Sequence, residues 1–198
     1  MIHICDNFFE DPYDVRNIAL KQKYLINEPG YAGVRCVDVP DSIEEYILSY
    51  VKRITIDDSL EMVRGLSVFH YMAKEFGDGI YHRDPHKYIC IVYLSLDAPL
   101  DSGTEVCGDD QVPDTLNTSA VIRRKESFHQ DPFNWIKRYR YDRVKNKLNS
   151  HYNPLLKVPN RFNRGVFFPA TNFHRSQQAF GTSLENGRLT LVCFVDGK

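Results

Sequence analysis

Four polar residues, each set against an apolar run, constrain this chain more than any other feature: His82, Asp84, His174 and Arg188. The pair His82-x-Asp84 follows a Gly-Asp-Gly turn (77–79) and precedes the apolar stretch 88–96. His174 follows Val166-Phe167-Phe168-Pro169, and Arg188 opens the stretch 189–195. Short runs rich in Val, Ile, Tyr and Phe, bounded by Gly, Asp and Asn, read as strands. Within a strand, residues i and i+2 point to the same side, so His82 and Asp84 reach toward one point. His174 then has to arrive from a different strand. Two imidazoles and a carboxylate can hold one face of an octahedral metal and leave the opposite face open. An arginine soon after the second histidine suits a carboxylated ligand, because its planar fork binds carboxylates in a bidentate way.

The segments GDGIYHRDPHKYICIVYLS, DSGTEVC, RGVFFPATNFHRSQQAFG and GRLTLVCF stand in this order and span most of residues 66–195. On them the chain resembles the Fe(II)/2-oxoglutarate-dependent oxygenase superfamily, and within it the prolyl-hydroxylase-like branch. The resemblance implies a double-stranded β-helix, a cupin-like jelly roll, with Fe(II) held by His82, Asp84 and His174. Arg188 would bind the far carboxylate of the co-substrate 2-oxoglutarate, and Thr190, on the same strand face, would add a hydroxyl. Tyr93 occupies a place where this branch often carries a co-substrate tyrosine. Tyr71, on the strand before His82, is a further candidate for the same pocket. For both tyrosines, plain core packing is the competing reading, since Tyr is common on half-buried strands. The implied reaction consumes O2 and releases succinate and CO2 while a substrate C–H bond is hydroxylated. Asp84 favours hydroxylation, because related halogenases lack this carboxylate. Phe194 stands where the nucleic-acid-demethylating branch usually carries a second arginine, which argues against that branch.

Arg175 competes with Arg188 but adjoins His174, so in a strand it points to the other face. Gly181 and Gly187 suit the turns of the intervening loop. A metal-binding cupin-like protein without enzymatic activity is the main alternative, and a zinc or manganese hydrolase on the same scaffold is another. Arg188 argues against the first, since a mere metal-binding cupin needs no anchor for a dicarboxylate, and succinate production requiring Fe(II) and O2 would separate an oxygenase from both.

A chain of 198 residues with 42% hydrophobic and 26% charged content fits one globular domain. Its formal net charge of −1 gives no field that would draw it to nucleic acid or an anionic membrane. The partner expected is a small-molecule or peptide substrate; the sequence does not set the oligomeric state. Five cysteines (Cys5, Cys36, Cys90, Cys107, Cys193), widely spaced and without a CxxC, indicate free thiols in a reducing compartment. The acidic N-terminus lacks the basic and apolar regions of a signal peptide, and no apolar run is long enough to span a bilayer. The expected location is cytoplasmic.

The fold class expected is mostly β (α+β), a jelly roll with flanking N-terminal helices and a partly helical insertion. Residues 1–60 read as helical support, 61–107 and 164–198 as the jelly-roll core, and 108–163 as an insertion or lid within a single domain 1–198. One helix starts at Asp11-Pro12, with Asp11 as its cap and Val15, Ile18 and Ala19 on one face. A second starts at Asp41 with Glu44 in a capping-box spacing. Its apolar stripe is Ile43, Tyr46, Ile47, Tyr50, Val51 and Ile54. The insertion concentrates basic residues (Arg123, Arg124, Lys125, Lys137, Arg138, Arg140, Arg143, Lys145, Lys147) among Trp135, Tyr139 and Tyr141. As a lid over the metal it would favour an acidic or peptide-like substrate. The other reading is a helix with a solvated basic face. His86 is a candidate pocket residue, whereas His129 and His151 have no ligand spacing.

Overall fold

A computed structural model of the chain describes residues 1–25, 33–108, 110 and 135–197. The strand that organises it is β10 (Arg188–Gly197). It pairs antiparallel with β5 (Tyr88–Tyr93), β4 (Val68–Met72) and β3 (Leu60–Met62). With β1 (His3–Cys5), β2 (Val34–Cys36) and β8 (Gly165–Pro169) these form a seven-stranded sheet in the order β1-β8-β5-β10-β4-β2, with β3 also on β10. A smaller sheet runs β7-β6-β9, from β7 (Pro154–Val158), β6 (Thr104–Cys107) and β9 (His174–Ser176).

Alternation along β10 gives the large sheet two different faces. Leu189, Leu191, Cys193 and Val195 are fully buried in one core with Phe69, Cys90, Val92 and Phe167. That core is closed by α1 (Pro12–Leu20) and α2 (Asp41–Thr55) through Val15, Ala19, Ile43, Ile47 and Val51. On the opposite face, Val192 and Phe194 join Ile89, Ile91, Tyr93, Val166 and Phe168 in a core shared with Val106 and Val158 of the small sheet. The outer face of the small sheet side is covered in turn by α3 (Trp135–Asn149), whose Tyr141 and Leu148 pack with Tyr81, Cys107, Tyr152 and Phe173. The layers are therefore helix pair, large sheet, small sheet and α3. The mostly β jelly roll with N-terminal helices agrees with the sequence expectation.

Several boundaries differ from that expectation. β7 lies inside the segment read as an insertion, yet it pairs with β6 and buries Val158 in the inter-sheet core. Its pattern of a Pro start and alternating burial is that of an edge strand. β1 and β2 lie in the segment read as helical support and extend the large sheet at both edges. Neither helix carries a side-chain cap: Asp11 makes none, and the cap position of α2 is Pro40, so Asp41 is its first helical residue rather than its cap. Both acids still sit where the helix dipole favours negative charge. The five cysteines are free thiols. Among the described residues, no helix is long and apolar enough to cross a membrane.

Helix α2 ends with Ile56 in the left-handed region, φ 55°, ψ 42°, and with its side chain 94% exposed. A β-branched residue is disfavoured there by contact between Cβ and the following carbonyl, whereas glycine is not. Ile56→Gly should therefore stabilise the protein by about 0.5–1 kcal/mol, read as a raised urea midpoint with an unchanged m-value.

Candidate metal centre

The segment 79–84 runs alongside β9 and extends the small sheet beyond its named strands. Gly79 N–H donates to Ser176 O, and His82 and His174 exchange both backbone hydrogen bonds, at 3.1 and 3.0 Å. They are thus directly opposed residues of an antiparallel pair, and their side chains emerge on one face with ring centroids 4.4 Å apart. Asp84 N–H bonds Ala170 O at 3.0 Å, which holds the carboxylate two residues beyond His82 on the same side.

The donor atoms converge. Asp84 Oδ2 lies 3.2 Å from His174 Nε2 and 3.8 Å from His82 Nε2. One donor atom from each of the three residues lies within 4.8 Å of the others. An octahedral ion with bonds of about 2.1 Å needs neighbouring donors about 3 Å apart, so the spacing suits one ion. Each imidazole Nδ1 is 2.9 Å from the carbonyl two residues earlier, Ile80 for His82 and Asn172 for His174. A carbonyl only accepts, so each Nδ1 carries the proton and each Nε2 presents its lone pair toward Asp84. Asp84 Oδ2 is buried with no well-aligned hydrogen-bond donor, an orphaned anion of the kind a cation would satisfy. His174 is buried and edge-on to Phe168, while the His82 side chain is 41% exposed. The centre therefore opens on the His82 side.

Arg188, on the same face of β10 as Thr190, Val192 and Phe194, is buried in the space between the sheets. Its Nε and Nη2 donate to the carbonyls of Ser102 and Gly103 at 2.8 and 3.1 Å, and its guanidinium lies 5.9 Å from the Tyr93 ring centroid. Among the described residues no carboxylate forms an ion pair with it. Burial lowers its pKa from the usual arginine value, yet arginine stays charged in proteins. A buried cation without an acidic partner is costly unless an anion binds it. Tyr93 is fully buried, its phenol pKa raised by that burial, and its hydroxyl donates to Thr104 Oγ1 at 2.8 Å. Thr190 Oγ1 donates to His70 O at 3.4 Å. The register pairs Thr190 with both Tyr93 and His70, so these residues share the inner face.

Tyr71 lies on the helix-side face of β4. It pairs with Leu189, not with an inner-face residue, and packs on the core beneath α1 and α2. Its ring occupies the place a Cβ on Gly187 would take. Alternation puts His70 and Met72 on the inner face in its stead. His86 lies at the rim of the inner face: its Nδ1 is 2.8 Å from Asp196 Oδ2, and its ring sits tilted against Phe194 with centroids 4.9 Å apart. His151 is exposed beyond α3, and His129 lies outside the described residues.

Arg175 points to the outer face, as its adjacency to His174 requires. There it meets a cluster that sequence reasoning missed. Glu105 Oε2 accepts from Tyr81 Oη at 2.5 Å and from Arg175 Nε at 2.7 Å, and Lys157 lies 3.0 Å from Oε1. Arg175 Nη1 donates to Asp78 Oδ2 at 2.6 Å, and Asp78 also takes Lys145 of α3. Lys145 has a side chain only 3% exposed. The described helix of the insertion thus lies behind the small sheet, on the face opposite the metal ligands, rather than over the open side. One of its basic residues is spent in a structural ion pair; Arg123, Arg124 and Lys125 lie outside the described residues. A lone acid inside the apolar stretch of β6 was the available sequence signal.

The fold is that of the Fe(II)/2-oxoglutarate oxygenases. A nogalamycin-biosynthesis epimerase, SnoN, matches with a TM-score of 0.60 at 13% identity, over 99% of this chain and 77% of that one. HygX from Streptomyces hygroscopicus, solved with nickel and 2-oxoglutarate, matches with a TM-score of 0.62 at 12% identity, over 100% and 83%. EctD from S. alaskensis matches at 0.57 and 10% identity, over 99% and 72%. No protein-family model and no curated protein matches the chain by sequence.

Burial raises the Glu105 pKa, but the hydrogen bonds from Arg175, Tyr81 and Lys157 prevail and bring it from 4.5 to about 2. A folded-state pKa below the unfolded one stabilises the fold above the unfolded value, and that stability is lost as pH falls through the folded one. Urea unfolding measured from pH 5 downward should therefore show stability falling between about pH 4.5 and 2. Glu105→Gln should lower stability at neutral pH and remove this part of the acid dependence.

Proposed function

We propose that the protein is an Fe(II)- and 2-oxoglutarate-dependent oxygenase, with His82, Asp84 and His174 as the iron ligands. The observation that carries this reading is the convergence of two Nε2 lone pairs and an orphaned carboxylate oxygen, in the same inter-sheet space as a buried Arg188 that has no acidic partner among the described residues. A binding protein that merely held a metal would have no use for that cation, so Arg188 favours an enzyme over a metal-storing cupin. When bound, iron and 2-oxoglutarate supply oxidative decarboxylation of the co-substrate by O2, giving succinate, CO2 and an oxidant for a substrate C–H bond.

The chain's own groups do the rest. The backbone carbonyls of Ile80 and Asn172 hold both imidazoles in the tautomer that ligates through Nε2. Arg188 binds the distal carboxylate, with Tyr93 and Thr190 as hydroxyls on the same inner face. Phe168, Val166 and Ile91 line the space with apolar surface and exclude water. The exposed edge of His82 marks the side from which substrate approaches.

Hydroxylation is the outcome we favour, because Asp84 fills the third protein position. The similar structures include an epimerase and a carbocyclase, so the fold carries other outcomes as well. HygX has been solved with hygromycin B, and SnoN with nogalamycin RO. These support a small-molecule substrate for this chain.

Anaerobic Fe(II) titration and 2-oxoglutarate turnover to succinate test the reading. His82→Ala and Asp84→Ala should each abolish specific Fe(II) binding with the fold retained. Arg188→Ala should weaken 2-oxoglutarate binding by about 2–5 kcal/mol, the scale for stripping one partner from a buried charge pair, and leave iron affinity largely intact. Arg188→Lys should recover only part of it, lacking the fork. A metal found on His86 or His151, or unchanged 2-oxoglutarate affinity in Arg188→Ala, would overturn the assignment.

A further inference from the structure

Two of the three candidate ligands, His82 and Asp84, sit on the outermost segment of the small sheet. Among the described residues, backbone hydrogen bonds join residues 79–84 to β9 along one side, through Gly79 to Ser176 and the His82–His174 pair, and Asp84 to Ala170 just before it. An edge segment of this kind lacks half its ladder, which is a poor footing for a site that must hold its ligands to within a few tenths of an ångström.

Among the described residues, one side chain hydrogen-bonds the backbone of the other edge. Asn149, the last residue of α3, accepts the Tyr81 N–H at 3.1 Å and donates from Nδ2 to Gly79 O at 3.0 Å. An amide N–H only donates and a carbonyl only accepts, so these two partners fix which end of the carboxamide is which. The pattern has a structural meaning. In a parallel ladder, one residue of a strand bonds the carbonyl of residue i−1 and the N–H of residue i+1 on its neighbour. Here Asn149 does the same around Ile80. Its carboxamide supplies the donor and the acceptor that one residue of a neighbouring parallel strand would offer there.

The neighbourhood of Asn149 is packed and cross-linked by hydrogen bonds. It is buried, and α3 is anchored below it by Tyr141 and Leu148 against Tyr81, Tyr152 and Phe173. The helix is tied as well by Lys145 to Asp78, itself bonded to Arg175. Tyr81 and Phe173 immediately precede His82 and His174. The same helix therefore braces both ligand-bearing segments from behind while their imidazoles point the other way.

We propose that Asn149 is a positioning residue for the metal centre, and that α3 is a brace completing the ligand-bearing edge of the small sheet. His82 then keeps its reach toward Asp84 and His174 because Gly79 and Tyr81 are pinned three residues and one residue before it. The proposal rests on the metal-centre reading above, and its test separates the two.

Full-length Asn149→Ala and Asn149→Asp are compared with wild type. Aspartate keeps the shape and the acceptor but turns an oxygen toward Gly79 O. Two readouts are used: the amide exchange rate of Tyr81, which needs no metal, and Co(II) affinity with its visible ligand-field spectrum. Asn149→Ala, which loses the acceptor for the Tyr81 N–H, should exchange that amide at least tenfold faster, and both variants lose the donor to Gly79 O. They should also bind Co(II) about 10- to 100-fold more weakly, the range for losing a group that orients a metal ligand, with a shifted spectrum. Ile47→Ala, in the core under α2, serves as the control for mere destabilisation: its melting temperature should fall while Co(II) affinity and spectrum stay as in wild type. If one Asn149 variant does not fold, the other and the Ile47 control still decide. Wild-type Tyr81 exchange in folded Asn149→Ala, or wild-type Co(II) binding in either folded Asn149 variant, overturns the brace alone. Wild-type protein that binds neither Fe(II) nor Co(II) at this site overturns the metal reading and the brace with it.

Discussion

Everything in this molecule depends on β10 having two incompatible faces. Leu189, Leu191, Cys193 and Val195 are apolar and fully buried beneath the helices. Arg188, Thr190, Val192 and Phe194 face the small sheet. A slip of one residue would drive a guanidinium into the helix-side core and put a leucine at the anion position. The strand is held against that slip by three neighbours, β3, β4 and β5. The placement of Arg188 is thus a consequence of how the core packs, and the chemistry inherits its precision from hydrophobic burial.

The small sheet solves a different problem. It is short, and the segment bearing His82 and Asp84 lies at its edge. Inner and outer faces divide the work again: histidines and the carboxylate point in, while Tyr81, Glu105 and Arg175 point out into a network of charge-assisted hydrogen bonds. Such bonds are shorter and stronger than neutral ones, and a buried, fully bonded network is stiff. The outer face holds the backbone from which the inner face projects its ligands.

This division recasts the long connection between β6 and β7. Its charge suggested contact with substrate. Its described helix instead spends Lys145 on Asp78 and turns Tyr141 and Leu148 inward, which makes it part of the scaffold. The solvated, weakly apolar surface of the remaining helix, with Trp135 and Tyr139 exposed, faces away from the sheet.

The sequence alone determined the period-two alternation that puts His82 and Asp84 on one side and Arg175 opposite His174, because side-chain direction in a strand is a local property. It also determined the apolar runs that became β5, β8 and β10, and the two N-terminal helices. It could not determine which face of β4 turns inward, because Tyr71 and His70 are equally plausible there until the pairing with Leu189 and Thr190 is known. Nor could it show that residues 154–158 pair with β6, or that Glu105, Arg175, Asp78 and Asn149 meet behind the ligands. Those contacts join residues far apart in the chain, and register and layer packing, which only the tertiary structure sets, decide which of many distant polar groups become neighbours.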